Sequence, residues 1–276
     1  MPNFSNKPPI ALTIAGSDSG GGAGIQADLK AFSANGVYGA SVITAVTAQN
    51  TTSLSHVHAV PIDVVTAQIL AVLNDLDVRA IKIGMLFSAE LIIAVAQALK
   101  DFTGSIVLDP VMVSKSGNAL LQPDAVAALK EVLIPRADIV TPNYPEAMVL
   151  LGLPSNTHIK QEDLSSFAHD LLTLGAKNIL LKGGHGTDTT CTDVLLGLDL
   201  PEPINLTSTR VPTKNTHGTG CTYSSSIAAY LANGSTMTEA VSLSHNYLYN
   251  AILRADQLDV GHGHGPVHHF YHWWKQ

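Results

Sequence analysis

The sequence is poor in cysteine: only Cys191 and Cys221 occur, far apart and without C-x-x-C spacing. Two such residues build neither a disulfide framework nor a cysteine-rich zinc motif, and they suit a reducing cytoplasm, where we expect the protein to reside. Charge is sparse as well, at 13% of residues, with a formal net charge of −7 and no run of Lys or Arg. A nucleic-acid surface is therefore not expected. No apolar stretch approaches the ~18 residues of a membrane span. The opening MPNFSNKPP lacks the apolar core of a signal peptide, so neither a membrane nor a secretory role is expected. No Pro/Ser-rich linker, fixed-period repeat or low-complexity tract divides the chain, and residues 1–276 read as one domain with a flexible start at 1–9. Dinucleotide chemistry lacks its signature too. GSDSGGGAG (16–24) has no clean G-x-G-x-x-G and no acidic residue at the tip of a second strand, and no G-x-x-x-x-G-K-[ST] loop occurs.

What is present is apolar residue, 46% of the chain, arranged in alternating short runs. IALTIAG (10–16), AIKIGML (80–86), SIVLDPVMV (105–113), ADIVTPN (137–143) and NILLKGG (178–184) read as buried strands. GASVITAVTAQN (39–50) and LSHVHAVP (54–61) alternate, as do the β-like runs TDVLLGL and INLTSTRV. Helical spacing predicts helices over GGAGIQADLKAFSANG, 61–76, 88–101, 122–135, YPEAMVLLG, QEDLSSFAHDLLTLG, 219–233 and about 236–256. Strand and helix alternate, which implies an α/β fold with a mostly parallel central sheet covered on both faces.

In such sheets ligands bind beyond the carboxyl ends of the strands. Here those ends carry Gly16 to Gly24, Gln49-Asn50, Gly84-Met85, Asp109-Pro110-Val111, Asn143 with Glu146, and Lys182-Gly183-Gly184. Their convergence on one edge is the expected active site. The glycine run 20–24 admits two uses, close approach to a ligand or a plain flexible turn. KNTHGTGCTYSS (214–225) leads straight into an apolar helix. The amides of Gly218, Thr219, Gly220 and Cys221 would then face outward at its positive end, an anion site. A thiol there would have its pKa lowered by the dipole and act as a base or orienting group; the other reading is a small structural residue. Asn143 and Glu146, flanked by Pro142 and Pro145, either close a capping box or hold a hydrated Mg²⁺. Lys182 at a strand end reads as a phosphate contact, and Asp109 as a helper of the same metal or a turn cap. The five histidines of GHGHGPVHHFYHWW lack zinc-site spacing and read as a packed aromatic tail.

Taken together, ALTIAGSDSGGGAGIQADLKAFSANGVYGASVITAVTAQNT, KIGML, LDPVMVSKSG, TPNYPEA, LKGGH, KNTHGTGCT and GPVHHFYHWW resemble the bacterial hydroxymethylpyrimidine/phosphomethylpyrimidine kinases of the ribokinase-like superfamily. The likeness runs from about residue 10 to residue 274. It implies a three-layer α/β/α sandwich, a homodimer, and ATP with Mg²⁺ as cosubstrates. The implied reaction phosphorylates 4-amino-5-hydroxymethyl-2-methylpyrimidine and then its monophosphate, in thiamine biosynthesis. By motif, Gln49 reads the pyrimidine edge, while Gly16, Asp28, Met85 and Val111 line its pocket. Asn143 and Glu146 serve the phosphates and Mg²⁺ with Asp109 nearby, Lys182 lies by the transferred phosphate, and Gly218 to Cys221 form the anion hole. Many sugar kinases of the superfamily carry an aspartate base where Cys221 stands. A pyridoxine/pyridoxal kinase is the nearest alternative. Gln49, which both donates and accepts, suits an aminopyrimidine edge. A non-catalytic pyrimidine-binding protein would keep the pocket but lose Glu146, Lys182 or the glycine turn, and all are present.

Overall fold

A computed structural model describes residues 7–112, 121–122, 124–154, 163–184 and 188–274. Residues 1–6 of the expected flexible start, Val113 of an expected strand, and Pro123 and residues 161–162 of two expected helices lie outside them. So do residues 113–117 and 185 of the motifs quoted above. Within the expected flexible start, the carbonyl of Pro9 accepts from Tyr38 N.

Among the described residues nine strands form one sheet: β1 (Ile10–Asp18), β2 (Tyr38–Gln49), β3 (Leu54–Ala59), β4 (Val78–Ile83), β5 (Ser105–Leu108), β6 (Ile139–Val140), β7 (Asn178–Leu181), β8 (Thr190–Gly197) and β9 (Ile204–Thr209). Their order is β3-β2-β1-β4-β5-β6-β7-β8-β9. The six strands from β2 to β7 run parallel, and β3, β8 and β9 are antiparallel additions at the two sides. β9 alternates exposed and half-buried residues, as an edge strand with one wet face does. β5 stops at Leu108, short of the expected 113, because Pro110 offers no N–H to a ladder and Val111 N turns back onto the Asp109 carbonyl.

The helices are α1 (Gly24–Ala34), α2 (Ile62–Leu73), α3 (Ala89–Ala98), α4 (Ala125–Ala128), α5 (Tyr144–Leu151), α6 (Leu164–Leu172), α7 (Thr219–Ala232) and α8 (Met237–Leu253). The single helix expected over 122–135 is not regular: α4 passes into a π turn, Leu129–Leu133, and a 3-10 turn, Ile134–Arg136. Pro135 cannot donate within a helix, and the backbone loosens and then tightens before it. The pleat divides the apolar residues between two layers. Leu12, Ile14, Ile81 and Ile83 pack with α2, α3, α4 and α6, while Ala11, Ala80 and Val107 pack with α1, α7 and α8. The result is an α/β/α sandwich.

The chain leaves β1 toward β2 on one side and later returns to place β4 on the other. The crevice of such a sheet opens where the order reverses, here beyond the ends of β1 and β4. α7 lies against β1, β4 and β5 under that crevice. It can approach closely because its inward residues are small: Ser224, Ser225, Ala228 and Ala229 are fully buried. The hydroxyls of Ser224 and Ser225 bond back to the carbonyls of Gly220 and Cys221, so no buried donor is wasted.

α7 starts at Gly218, which is left-handed with φ of 76°. A Cβ there would also run into the Gly22 carbonyl oxygen. Gly36 shares the φ of 76° but has open space around it. Gly36→Ala should cost about 1 kcal/mol, the backbone term alone. Gly218→Ala should cost more than about 3 kcal/mol, because a steric clash adds to it. Urea denaturation of the two variants checks the difference, and equal costs would show that the Gly22–Gly218 approach is not a constraint.

Candidate active site

Beyond β1, β2, β4, β5, β6 and β7 lies a cavity of about 1170 Å³. The sequence-predicted Gly16, Gln49, Met85, Asp109, Val111, Asn143, Glu146 and Lys182 all line it, with Gly218, Thr219, Gly220 and Cys221 closing it from α7. At the switch point, a side chain on Gly16 would meet Met85 Cε at 3.1 Å.

Asp28 departs from expectation. It does not line the cavity but is fully buried on α1, where both its oxygens hold Lys82 Nζ (2.9 and 2.8 Å) and one accepts from the Thr13 hydroxyl (2.6 Å). α1 turns the carboxylate inward under the sheet end, and an unpaired lysine there would be far costlier than a paired one. Lys82 is one residue that sequence reasoning missed. It reaches the cavity from near the carboxyl end of β4, on the same face as Ala80 because the pleat repeats every two residues. Burial disfavours its charge, and the Asp28 carboxylate, helped by Asp109, outweighs burial and keeps it protonated.

A second buried pair lies alongside. Lys182 Nζ is 2.9 Å from Asp109 Oδ1, which also accepts from Thr141 Oγ1 at 3.1 Å. Ser224 Oγ of α7 lies 3.2 Å from Asp109 Oδ2. A side chain on Gly220 would meet Lys182 Nζ at 3.5 Å and Asp109 Oδ2 at 3.6 Å, so the turn sits directly over this pair. Among the described residues no carbonyl or side chain accepts from the Gly220 and Cys221 amides, as expected of a first helical turn left open to an anion.

Cys221 contradicts the lowered pKa expected at a helix start. Its thiol is pushed up to about 11 by burial first, with Lys82 opposing and Asp28 and Asp109 adding to the rise. Desolvation outweighs the dipole, and the thiol stays protonated at neutral pH. Asn143 and Glu146 do close a capping box: Glu146 N donates to Asn143 Oδ1 (2.9 Å), and Asn143 N donates to Glu146 Oε2 (2.8 Å). Glu146 also faces the cavity. The cap takes up Oε2 only.

The glycine run 20–24 is a rigid turn. Asp18 accepts from the amides of Gly20 (2.8 Å), Gly22 (3.0 Å) and Ala23 (2.8 Å), and His217 Nε2 lies 2.8 Å from its Oδ2. His217 rests on Gly22, where a Cβ would overlap the ring. Neither Asp18 nor His217 was singled out from sequence. The two stand 199 positions apart. In the tail, His268 and His269 are buried, and His269 Nε2 meets Thr222 Oγ1 of α7 at 2.9 Å. Burial, with Lys30 and His268, holds His269 down to about 3, a neutral packed ring. Among the described residues no three His, Cys, Asp or Glu side chains group to hold a metal, and no helix is long and apolar enough to cross a membrane.

Comparison with known proteins identifies the family. The family model for phosphomethylpyrimidine kinase matches residues 18–268. Hydroxymethylpyrimidine/phosphomethylpyrimidine kinase of Rhizobium meliloti is 52% identical over 266 residues, 96% of this chain and 98% of the relative. The crystal structure of phosphomethylpyrimidine kinase from Clostridium difficile is 45% identical, covers 88% of this chain and 99% of its own, and superposes with a TM-score of 0.76. Pyridoxal kinase from Staphylococcus aureus, in complex with AMP-PCP and pyridoxal, is 32% identical over 97% of this chain and 96% of its own, with a TM-score of 0.87. The chain belongs to the phosphomethylpyrimidine kinase family.

Glu146 supplies a pH test. Burial first, then Asp109, push its carboxyl from 4.5 up to about 7, against Lys182 and the amides of Asn143 and Met112. The folded state therefore binds the proton more tightly than the unfolded chain, and stability falls as pH rises from about 4.5 through 7. Glu146→Gln keeps an oxygen for the Asn143 amide and removes the charge. It should stabilise the ligand-free protein by about 1–3 kcal/mol at pH 8 and change it little at pH 5, by urea denaturation. A gain that does not grow with pH would contradict burial as the cause.

Proposed function

We propose that this cavity moves the terminal phosphoryl group of ATP onto the hydroxymethyl oxygen of 4-amino-5-hydroxymethyl-2-methylpyrimidine, and in a second round onto the monophosphate so formed. The observation that carries this reading is the seating of the Gly218–Cys221 turn, at the positive end of α7, in one cavity with Lys82, Lys182 and Gln49. Phosphoryl transfer asks mainly for position and for stabilisation of charge on the transferring oxygens. Open amides and two buried ammonium groups offer that.

In this reading Gln49, Gly16, Met85 and Val111 hold the pyrimidine, and the Gly218, Thr219, Gly220 and Cys221 amides with Lys182 hold the transferring group. Asn143 orders the phosphate end. The more apolar part of the cavity, with Val211, Pro212, Leu248 and Ile252, suits the adenine. Asp109 and Glu146 are a fit for Mg²⁺, a cation that keeps much of its water and takes one or two carboxylates besides phosphate oxygens. Asp109 Oδ1 already accepts from Lys182 and Thr141, so contact through a water shell suits it. Bound there, the ion would neutralise phosphate charge. The substrate oxygen forms its bond to phosphorus as the bond to the bridging oxygen breaks and ADP leaves. Cys221, protonated, orients the hydroxyl, and the hydroxyl proton departs late to a phosphoryl oxygen.

The likeness to pyridoxal kinase, with its TM-score of 0.87, favours a second reading in which pyridoxal is also accepted. The family resemblance further supports a cytoplasmic homodimer.

Two variants test the assignment. Gln49→Ala should raise the pyrimidine KM by about tenfold or more with little change in the KM for ATP, and an unchanged pyrimidine KM would remove Gln49 from substrate recognition. Cys221→Ala should lower kcat by about 10- to 100-fold with the Kd for ATP preserved. Full kcat in that variant would leave the thiol a structural role only.

A further inference from the structure

Gln49 meets one neighbour that bears on what it can recognise. His217 Nε2 lies 3.4 Å from Gln49 Nε2 and 2.8 Å from Asp18 Oδ2. Asp18 is surrounded by donors, the amides of Gly20, Gly22 and Ala23 besides the ring. A carboxylate so placed is an acceptor only. Whether the imidazole is neutral or charged, Nε2 then carries its one hydrogen, directed at Asp18 Oδ2, and has no lone pair left to accept from Gln49.

With its nitrogen toward the ring, the Gln49 carboxamide would set donor against donor. The two ends of a carboxamide are alike in shape, and the surrounding hydrogen bonds decide which is which. The oxygen therefore turns to His217, and the NH₂ turns away. The ring cannot swing aside. It is 8% exposed, rests on Gly22, and its backbone is held through His217 N to the Gly265 carbonyl at 3.0 Å.

We propose that the Asp18–His217 pair fixes the polarity of the Gln49 carboxamide, so that the site selects a 4-aminopyrimidine over its 4-oxo counterpart. His217 is thus a positioning residue, and the inference rests on the reading above that Gln49 faces the pyrimidine. A 4-aminopyrimidine presents a donor at the amino group and an acceptor at the adjacent ring nitrogen. The ring-N–H form of the 4-oxo compound presents the reverse. A glutamine free to flip would serve both. One held by His217 sets oxygen against oxygen and N–H against N–H for the oxo compound, and unpaired polar groups in a closed site are what make such rejection strong. On the amino side, the Gln49 oxygen faces the positive edge of the His217 N–H that Asp18 holds and accepts the hydrogen of the amino group.

The test compares kcat/KM for the 4-amino and 4-oxo hydroxymethylpyrimidines, with Mg·ATP, in the wild type, His217→Phe, His217→Gln and Gln49→Ala. The wild type should prefer the amino compound by about a hundredfold or more. His217→Phe keeps a flat ring but no donor, and should compress that preference by about tenfold or more, chiefly through a lower KM for the oxo compound. His217→Gln restores a donor and should recover most of it. A purely structural role for His217 would lower both activities together and leave the ratio alone. An unchanged ratio in His217→Phe, with Gln49→Ala still raising the amino KM, overturns this inference and spares the reading of Gln49. An amino KM unmoved by Gln49→Ala overturns that reading and the inference with it. If His217→Phe does not fold, the wild type still decides: near-equal use of the two compounds overturns the proposal.

Discussion

The structure depends on the interlock of two glycine turns far apart in the chain. Asp18, buried at the end of β1, gathers three backbone amides of the first turn and the ring of His217 from the second. The glycines there serve backbone against backbone. Gly22 leaves room for the His217 ring, and Gly218 leaves room for the Gly22 carbonyl. The interlock fixes where α7 begins, and so where its open amides point. It also closes one side of the cavity that holds Gln49. Remove it, and the open amides of α7 and Gln49 lose their common frame.

Beneath that frame lie two buried ion pairs, Lys82–Asp28 and Lys182–Asp109. Buried pairs add little net stability, because desolvation cancels much of their attraction. They make sense where positive charge is wanted in a dry place, as in a site that gathers phosphate oxygens. Cys221, between the two lysines and a carboxylate pair, shows the other consequence of dryness. The same burial that strengthens the field around a phosphate holds the thiol protonated.

Much of this was legible in the residues. Apolar β-branched runs that end in glycine, aspartate or asparagine foretold both the strands and the edge on which the cavity lies, and N-x-x-E offered the capping box as one of its two readings. What escaped were pairings across long separations. Lys82 had a signal, a charge in the apolar strand AIKIGML that needed a buried partner, but nothing nearby in sequence says that the partner is Asp28. Asp28 was accordingly placed in the pocket wall when it stands behind it. His217 and Asp18 were in view as parts of motifs, while their contact depends on how the two turns cross. The Cys221 thiol was misjudged because a helix-end rule counts the dipole and cannot count solvation. Pro110 and Pro135 marked local irregularities whose exact form only packing decides.

The central claim is that this cavity phosphorylates a hydroxymethylated aminopyrimidine, and substrate choice tests it most directly. Release of ADP from Mg·ATP, measured with hydroxymethylpyrimidine, its monophosphate and pyridoxal in parallel, separates the readings. The account predicts turnover of both pyrimidines, with pyridoxal a weaker substrate or none. Turnover of pyridoxal with neither pyrimidine consumed would contradict it.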